Sequence, residues 1–226
     1  MQFLVLLPLV VAFATAAPVA SIADHWLVAR EKVNPDCGTG DDFCKGANNT
    51  APDIYLCGDF RLGPLTLPTK LPLDNLIFKY DRLGGLCPGE FLEKYTNATT
   101  GSFVFPPHDG FLLDVHHKPI KGNVTLKVGT LLDRFGSETG TFMSPAFSPY
   151  IQRALPPVNL DPPREAPPNF PNNYHIYKVA KKFVVQAGPI APAFGQPGQG
   201  TQYETTESVA TLVAGGFLER VNKAQF

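Results

Sequence analysis

Three short segments carry the residue types that could do chemistry. In "LLDRFGSETGTF", residues 131–142, Arg134 stands beside Phe135, and Phe142 closes the stretch. The segment "YIQRALPP" adds Arg153. The segment "GPIAPAFGQPGQGTQYE", residues 188–204, adds Gln196, Gln199 and Gln202 among three prolines and four glycines. A guanidinium fork matches phosphate oxygens and an aromatic face matches a flat ring. Arginine plus phenylalanine on glycine-bordered turns therefore suits a dinucleotide diphosphate and its base. On composition alone, a structural arginine–carboxylate bond with core phenylalanines explains the same residues better.

The familiar hydrolase signatures are missing. There is no H-E-x-x-H and no G-x-S-x-G. His116 and His117 are adjacent, so on a strand they would point to opposite faces and could not share one ion. Asp109, Asp114, Asp133, Glu138 and Glu204 fall near turns and read for the most part as solvated carboxylates. A two-carboxylate mechanism needs a spatial separation that spacing does not give.

The elements that must position these groups follow from bulk composition. The chain has 226 residues, 44% hydrophobic and 17% charged, enough for one domain with a small appendage. A net charge of −1 suggests neither a nucleic-acid surface nor a polybasic membrane patch. The apolar run from Phe3 to Phe13, followed by Ala14-Thr15-Ala16, reads as a secretory signal over residues 1–17, although it lacks a basic side chain. It is too short to span a bilayer, and no later segment is long enough to be a transmembrane helix.

Secretion accounts for two further features. Cys37, Cys44, Cys57 and Cys87 contain no C-x2-C pair and read as disulfides of an oxidising compartment, with three connectivities open. Asn48, Asn97 and Asn123 head N-x-[ST] sequons, each expected on a surface loop.

Residues 18–100 read as a disulfide-bearing extension and 101–226 as the β-rich main part of the chain. Within the first, "CPGEFLEKYTN" predicts a short helix with Pro88 in its first turn and Phe91, Leu92 and Tyr95 on one face. Beyond it, "GSFVFPP", "NVTLKVGTLLDRFG", "NYHIYKVAKKFVVQAGPI" and "GFLERVN" predict strands. The segment "TTESVATLVAGG" predicts a helix capped by Thr205 or Thr206 and stopped at Gly215-Gly216. Residues 188–204 then read as a loop leading from a strand end near Pro189 into that helix. "LPPVNLDPPREAPPNFPNN", residues 155–173, reads as a stiff proline-rich connector.

The order of the motifs is more specific than any one of them. "DRFGSETGTF", "YIQRALPP", "NYHIYKV", "GPIAPAFGQPGQGTQYE" and a helix before "GGFLERV" together resemble the tuberculosis-necrotizing-toxin family of NAD glycohydrolases. The resemblance is strongest to its secreted fungal members of conidial surfaces. With "CGDFRLGPLTLP" and "RLGGLCPGEFLEKY" upstream, it covers about residues 35–222.

That resemblance implies an α+β fold, a bent β-rich core with short helices, and a disulfide-stapled N-terminal extension that helps build a homodimer. It implies an extracellular enzyme that cleaves NAD+ into nicotinamide and ADP-ribose, with NADP+ as a further substrate. NAD is then substrate, not cofactor, and no metal is required. Arg134 is the implied phosphate contact at the pocket rim, Phe135 and Phe142 line the nicotinamide pocket, Arg153 is a second functional arginine, and Gln202 is the catalytic glutamine. Gln196 and Gln199 read as ordinary loop residues. Some fungal members carry an acidic calcium-binding tail. Here "ERVNKAQF" offers no such cluster, and no C-terminal calcium site is expected. The rival readings are ADP-ribosyl transfer or cyclisation in the same pocket, and a non-enzymatic glycoprotein of the cell wall.

A glutamine is intelligible in this chemistry. Nicotinamide is already a cationic leaving group in NAD+, so it needs no general acid. The barrier is positive charge developing on the ribose, and a positioned neutral amide can fix the ribose hydroxyls or a water. No group in that scheme titrates near neutrality, which predicts a flat rate profile between about pH 5 and 8.

Overall fold

Period-two apolar runs become strands where each can bury one face. The computed structural model describes residues 34–39, 42–48, 50, 54–161 and 171–221. Seven strands are present among them: β1 (Gly122–Leu126), β2 (Leu131–Phe135), β3 (Phe142–Pro145), β4 (Tyr174–Val179), β5 (Phe183–Pro189), β6 (Thr201–Glu204) and β7 (Leu218–Arg220). They form one antiparallel sheet in the order β1-β5-β6-β3-β2-β4-β7.

Short β3 is the joint of this sheet. Phe142 and Met143 pair with Glu204 and Tyr203 of β6, whereas Ser144 and Pro145 pair with Asp133 and Leu132 of β2. A strand that changes partner halfway joins two sub-sheets and leaves a concave corner between them.

One sheet face packs Leu132, Met143, Tyr177 and Val185 against Val209 and Leu212 of helix α3 (Val209–Ala214). Helix α1 (Leu73–Leu76) and Tyr80 pack on the other face, against Phe135, Tyr150 and Tyr174. Each fully buried side chain of this size contributes about 1.5–3 kcal/mol. Helix α2 (Pro88–Tyr95) starts with the Glu90 carboxylate accepting from the Cys87 N–H at 3.0 Å. It buries Phe91 and Leu92 in a third cluster with Leu62 and Phe194, so the extension and the 190–200 segment share a core. The disulfides join Cys37 to Cys87 and Cys44 to Cys57, one of the three open connectivities.

Several expectations are corrected. "GSFVFPP" makes only a bridge between Thr96 and Phe103, because Val104 and Phe105 face solvent and two prolines lack N–H donors. His116 and His117 sit in a turn, where Asp114 Oδ1 accepts from the N–H groups of His116 and Lys118. The C-terminal helix is capped by Ser208, whose Oγ accepts from Thr211 N at 3.1 Å, while Thr205 instead donates to Thr141 O and Glu207 O. Gly216, at φ +67°, provides the left-handed stop. Residues 188–204 are not one loop, since β6 intervenes. Asn123 lies on edge strand β1 rather than in a loop, whereas Asn48 and Asn97 lie outside strands and helices. The signal at 1–17, part of the connector (162–170) and the C-terminal residues 222–226 lie outside the described residues. Among the described residues, no helix is long and apolar enough to cross a membrane.

Candidate active site

The corner at β3 holds a small cleft of about 40 Å³, well below the volume of a typical small-molecule site. Arg134, Phe135, Phe142, Arg153 and Gln202 all line it, together with Asp133 and Ser144. Five residues drawn from three distant segments therefore meet in one place.

Strand alternation sorts them. Asp133 and Phe135 share the face that looks across β3 to Ser144 and across β4 to Tyr174 and Ile176. Asp133 is fully buried, which corrects its reading as a solvated carboxylate. It accepts Arg153 Nη1 at 2.6 Å on Oδ1, and Arg153 Nη2 at 2.8 Å, Tyr174 OH at 2.7 Å and Phe147 N at 2.8 Å on Oδ2. Four donors on a buried carboxylate satisfy its lone pairs. Burial, reinforced by Asp133, pushes the Tyr174 hydroxyl well above its ordinary pKa, so it remains a donor.

Arg153 is itself buried. Its Nε and Nη2 also donate to Ser148 O at 3.1 and 2.8 Å, and its guanidinium lies 5.1 Å from the centre of the Phe135 ring. Phe135 is held edge-on by Tyr150 at 4.9 Å and tilted by Tyr174 at 4.6 Å. Both residues form the floor of the cavity.

Arg134 behaves differently. Alternation directs it to the opposite face, where Nε donates to Ser137 O at 2.7 Å and Nη1 to Phe142 O at 2.6 Å. A Cβ at Gly140 would lie 2.0 Å from its Nη2, so glycine there lets the guanidinium fold onto the 137–140 turn. Burial lowers its pKa from the ordinary arginine value, yet it stays a cation. Glu138, in the same turn, accepts from Tyr177 OH at 2.8 Å and from Arg220, which holds its carboxyl below the ordinary range.

Gln202 is aligned by the ladder, opposite Gly188 of β5. Its Nε2 donates to the carbonyl of Asp109 at 2.8 Å. The amide is thereby oriented, and among the described residues no donor reaches its Oε1. Gln196, expected as an ordinary loop residue, is buried and donates to Asp81 O at 2.5 Å, tying the loop to the extension.

Sequence reasoning missed Asp133, Tyr174 and the Asp109 carbonyl. The first had a signal: placing 131–135 on a strand puts Asp133 on the inward face with Phe135. The carbonyl had none, because a backbone partner ninety-three positions away leaves no mark in residue type.

A family model described as tuberculosis necrotizing toxin matches residues 125–221, a span containing all five expected residues. The conidial surface nicotinamide adenine dinucleotide glycohydrolase of Aspergillus fumigatus is 51% identical over 176 residues, covering 77% of this chain and 74% of that protein. The chain belongs to the tuberculosis necrotizing toxin family. Among solved structures, the toxin complexed with its immunity factor matches at 22% identity and TM-score 0.39, over 53% of this chain and 63% of that one. The carboxy-terminal part of Rhs1 with its cognate immunity protein matches at 14% and 0.32, over 49% of this chain and 84% of that one. The likeness to the conidial enzyme is longer than the toxin-domain match and so extends beyond the family domain.

Proposed function

We propose that this chain is an extracellular NAD+ glycohydrolase of the spore or cell surface. The convergence of Arg134, Phe135, Phe142, Arg153 and Gln202 on one cavity carries the reading. The 51% identity to a conidial NAD glycohydrolase supports it.

In this scheme the bond from ribose C1′ to the pyridinium nitrogen breaks and both electrons return to nicotinamide. A water oxygen bonds to C1′ and releases one proton, giving ADP-ribose. The Phe142 edge and the Phe135–Arg153 floor hold the pyridinium ring, and a shift of Arg134 off the 137–140 turn would bring its guanidinium to the diphosphate. Gln202 offers Oε1 to a ribose hydroxyl or to the water, an acceptor placed where positive charge develops. No cofactor takes part. We extend the reading to NADP+ as a second substrate and a homodimer on family resemblance, and, on the sequence patterns, to removal of residues 1–17 on secretion, glycosylation at the three sequons and a catalytic part beginning near residue 101.

The test is release of nicotinamide from NAD+ by purified wild type and Gln202→Ala. Loss of one transition-state contact lowers turnover about a hundredfold or more. Full activity in the variant would remove Gln202 from the mechanism. Free ADP-ribose identifies hydrolysis, while a labelled acceptor protein or a cyclic product identifies the rival reactions.

A further inference from the structure

The side chain of Gln202 is fixed by a segment that contributes nothing else to the cavity. Its Nε2 partner, the Asp109 carbonyl, lies in a tight turn with left-handed backbone at His108 (φ 53°), Asp109 (φ 60°) and Gly110 (φ 76°). Two non-glycine residues in that region store strain, so other contacts must hold the turn. The Gly110 carbonyl accepts from Ala191 N at 2.8 Å, and Lys121 Nζ approaches the Asp109 carboxylate at 3.7 Å.

Lys121 also donates to Glu204 Oε2 at 2.9 Å, and its ammonium lies 4.8 Å from the centre of the Phe111 ring. Glu204 follows Gln202 by two residues on β6, so both leave the strand on the same face. One cation thus joins the strand that carries the glutamine to the turn that orients it. The hydrogen bond from Lys121 to Glu204 raises the lysine pKa, so it stays charged across the physiological range.

We infer that Lys121, bridging Glu204 and Asp109, is a positioning residue that locks the Gln202 amide with Nε2 on the Asp109 carbonyl and Oε1 towards the reacting ribose. The inference rests on the glycohydrolase reading and adds the device that sets the polarity of its key amide. A free glutamine samples both amide orientations, and only one presents an acceptor to a hydroxyl, a water or a developing cation. Fixing it in advance removes reorganisation from the chemical step. Lys121 touches neither substrate nor reacting atoms in this account.

The test is a double-mutant cycle on turnover of NAD+. Lys121→Met in the wild-type background is expected to lower kcat about tenfold with KM little changed, since the lost order belongs to the transition state. Lys121→Arg, which keeps a cation able to bridge two carboxylates, is expected to recover most of that rate. In a Gln202→Ala background, Lys121→Met is expected to change the residual rate less than twofold, because nothing remains to position. Glu204→Gln approaches the same bridge from its other end and should repeat the pattern, with thermal unfolding measured on every variant. The inference is overturned if Lys121→Met leaves kcat unchanged, or lowers it equally in both backgrounds. It is also overturned if the whole effect appears in KM. Full turnover in Gln202→Ala alone also overturns it, by removing Gln202 from the mechanism, whereas no release of nicotinamide from NAD+ by the wild type is a different result, the failure of the glycohydrolase reading itself.

Discussion

Arg153 Nη1 and Nη2 grip the two carboxylate oxygens of Asp133 at 2.6 and 2.8 Å, and both residues are buried beneath the cavity. The bond crosses from β2 to the segment after β3, so it fastens the cavity floor from two sides. Removing one partner leaves the other charge buried and uncompensated. Asp133→Asn is expected to cost about 3–5 kcal/mol, read as a lowered midpoint in urea unfolding. Pairing it with Arg153→Met should cost clearly less than the sum of the two single changes. Strict additivity would show that the pair is not coupled.

Gly188 sits opposite Gln202 with no room for a side chain. An added Cβ would meet the Ile120 carbonyl oxygen at 2.1 Å, and backbone cannot swing aside as a side-chain end can. Gly188→Ala is expected to destabilise by about 1–3 kcal/mol and to lower kcat by displacing the segment next to Lys121. Gly122→Ala on β1, where no atom lies within 4 Å, is the control and should be neutral or slightly stabilising. Equal stability of the two variants would contradict this packing.

Much of this was legible in the residues, and what was not has a physical reason. Helix α2 was readable because its proline, early glutamate and apolar face are local signals, and strands β4 and β5 because their apolar runs are long. Strands β3 and β6 were hidden. "FMSP" and "TQYE" carry no period of their own and exist only because partner strands supply their ladders. The same holds for the site. Arginine, phenylalanine and glutamine could be picked out by type and order, but the Asp133 hub and the backbone acceptor for Gln202 are properties of tertiary register. Arg134 illustrates a further limit, since type identified the residue while alternation and Gly140 decided where its guanidinium rests.

The disulfide from Cys37 to Cys87 closes a long loop around the extension, and that extension shares a core with the loop after β5. Gly195 N donates to Tyr95 OH at 2.9 Å, and Gln196 bonds to Asp81, so the coupling reaches the approach to β6. Replacing both cysteines by alanine is expected to cost about 2–5 kcal/mol. Proteolysis should then strike the 190–200 segment earlier than in wild type. Unchanged protection there would separate the extension from the segment leading into β6.

Acid should weaken the fold in two steps while leaving catalysis flat. His175 has its pKa lowered, because burial outweighs the Glu138 carboxylate 3.8 Å from Nδ1. A base with a depressed folded pKa is protonated more readily when unfolded, so its stabilisation is complete above about pH 6.5 and lost as pH falls through the folded value. Glu138 has its pKa lowered mainly by Arg220, and Asp59 is lowered because hydrogen bonds from Arg61 and Asn48 outweigh its burial. Their contribution is present above the ordinary carboxylate range and lost as pH falls through their folded values. Urea midpoints measured from pH 8 to pH 3 should therefore show a plateau, a first decline below about 6.5 and a second below about 4. His175→Gln should remove the first decline and Glu138→Gln reduce the second. Over pH 5 to 8, where the protein stays folded, NAD+ turnover should be nearly constant, because neither a glutamine nor an arginine titrates there. A bell-shaped rate profile centred near pH 6.5 would assign the chemistry to a histidine instead.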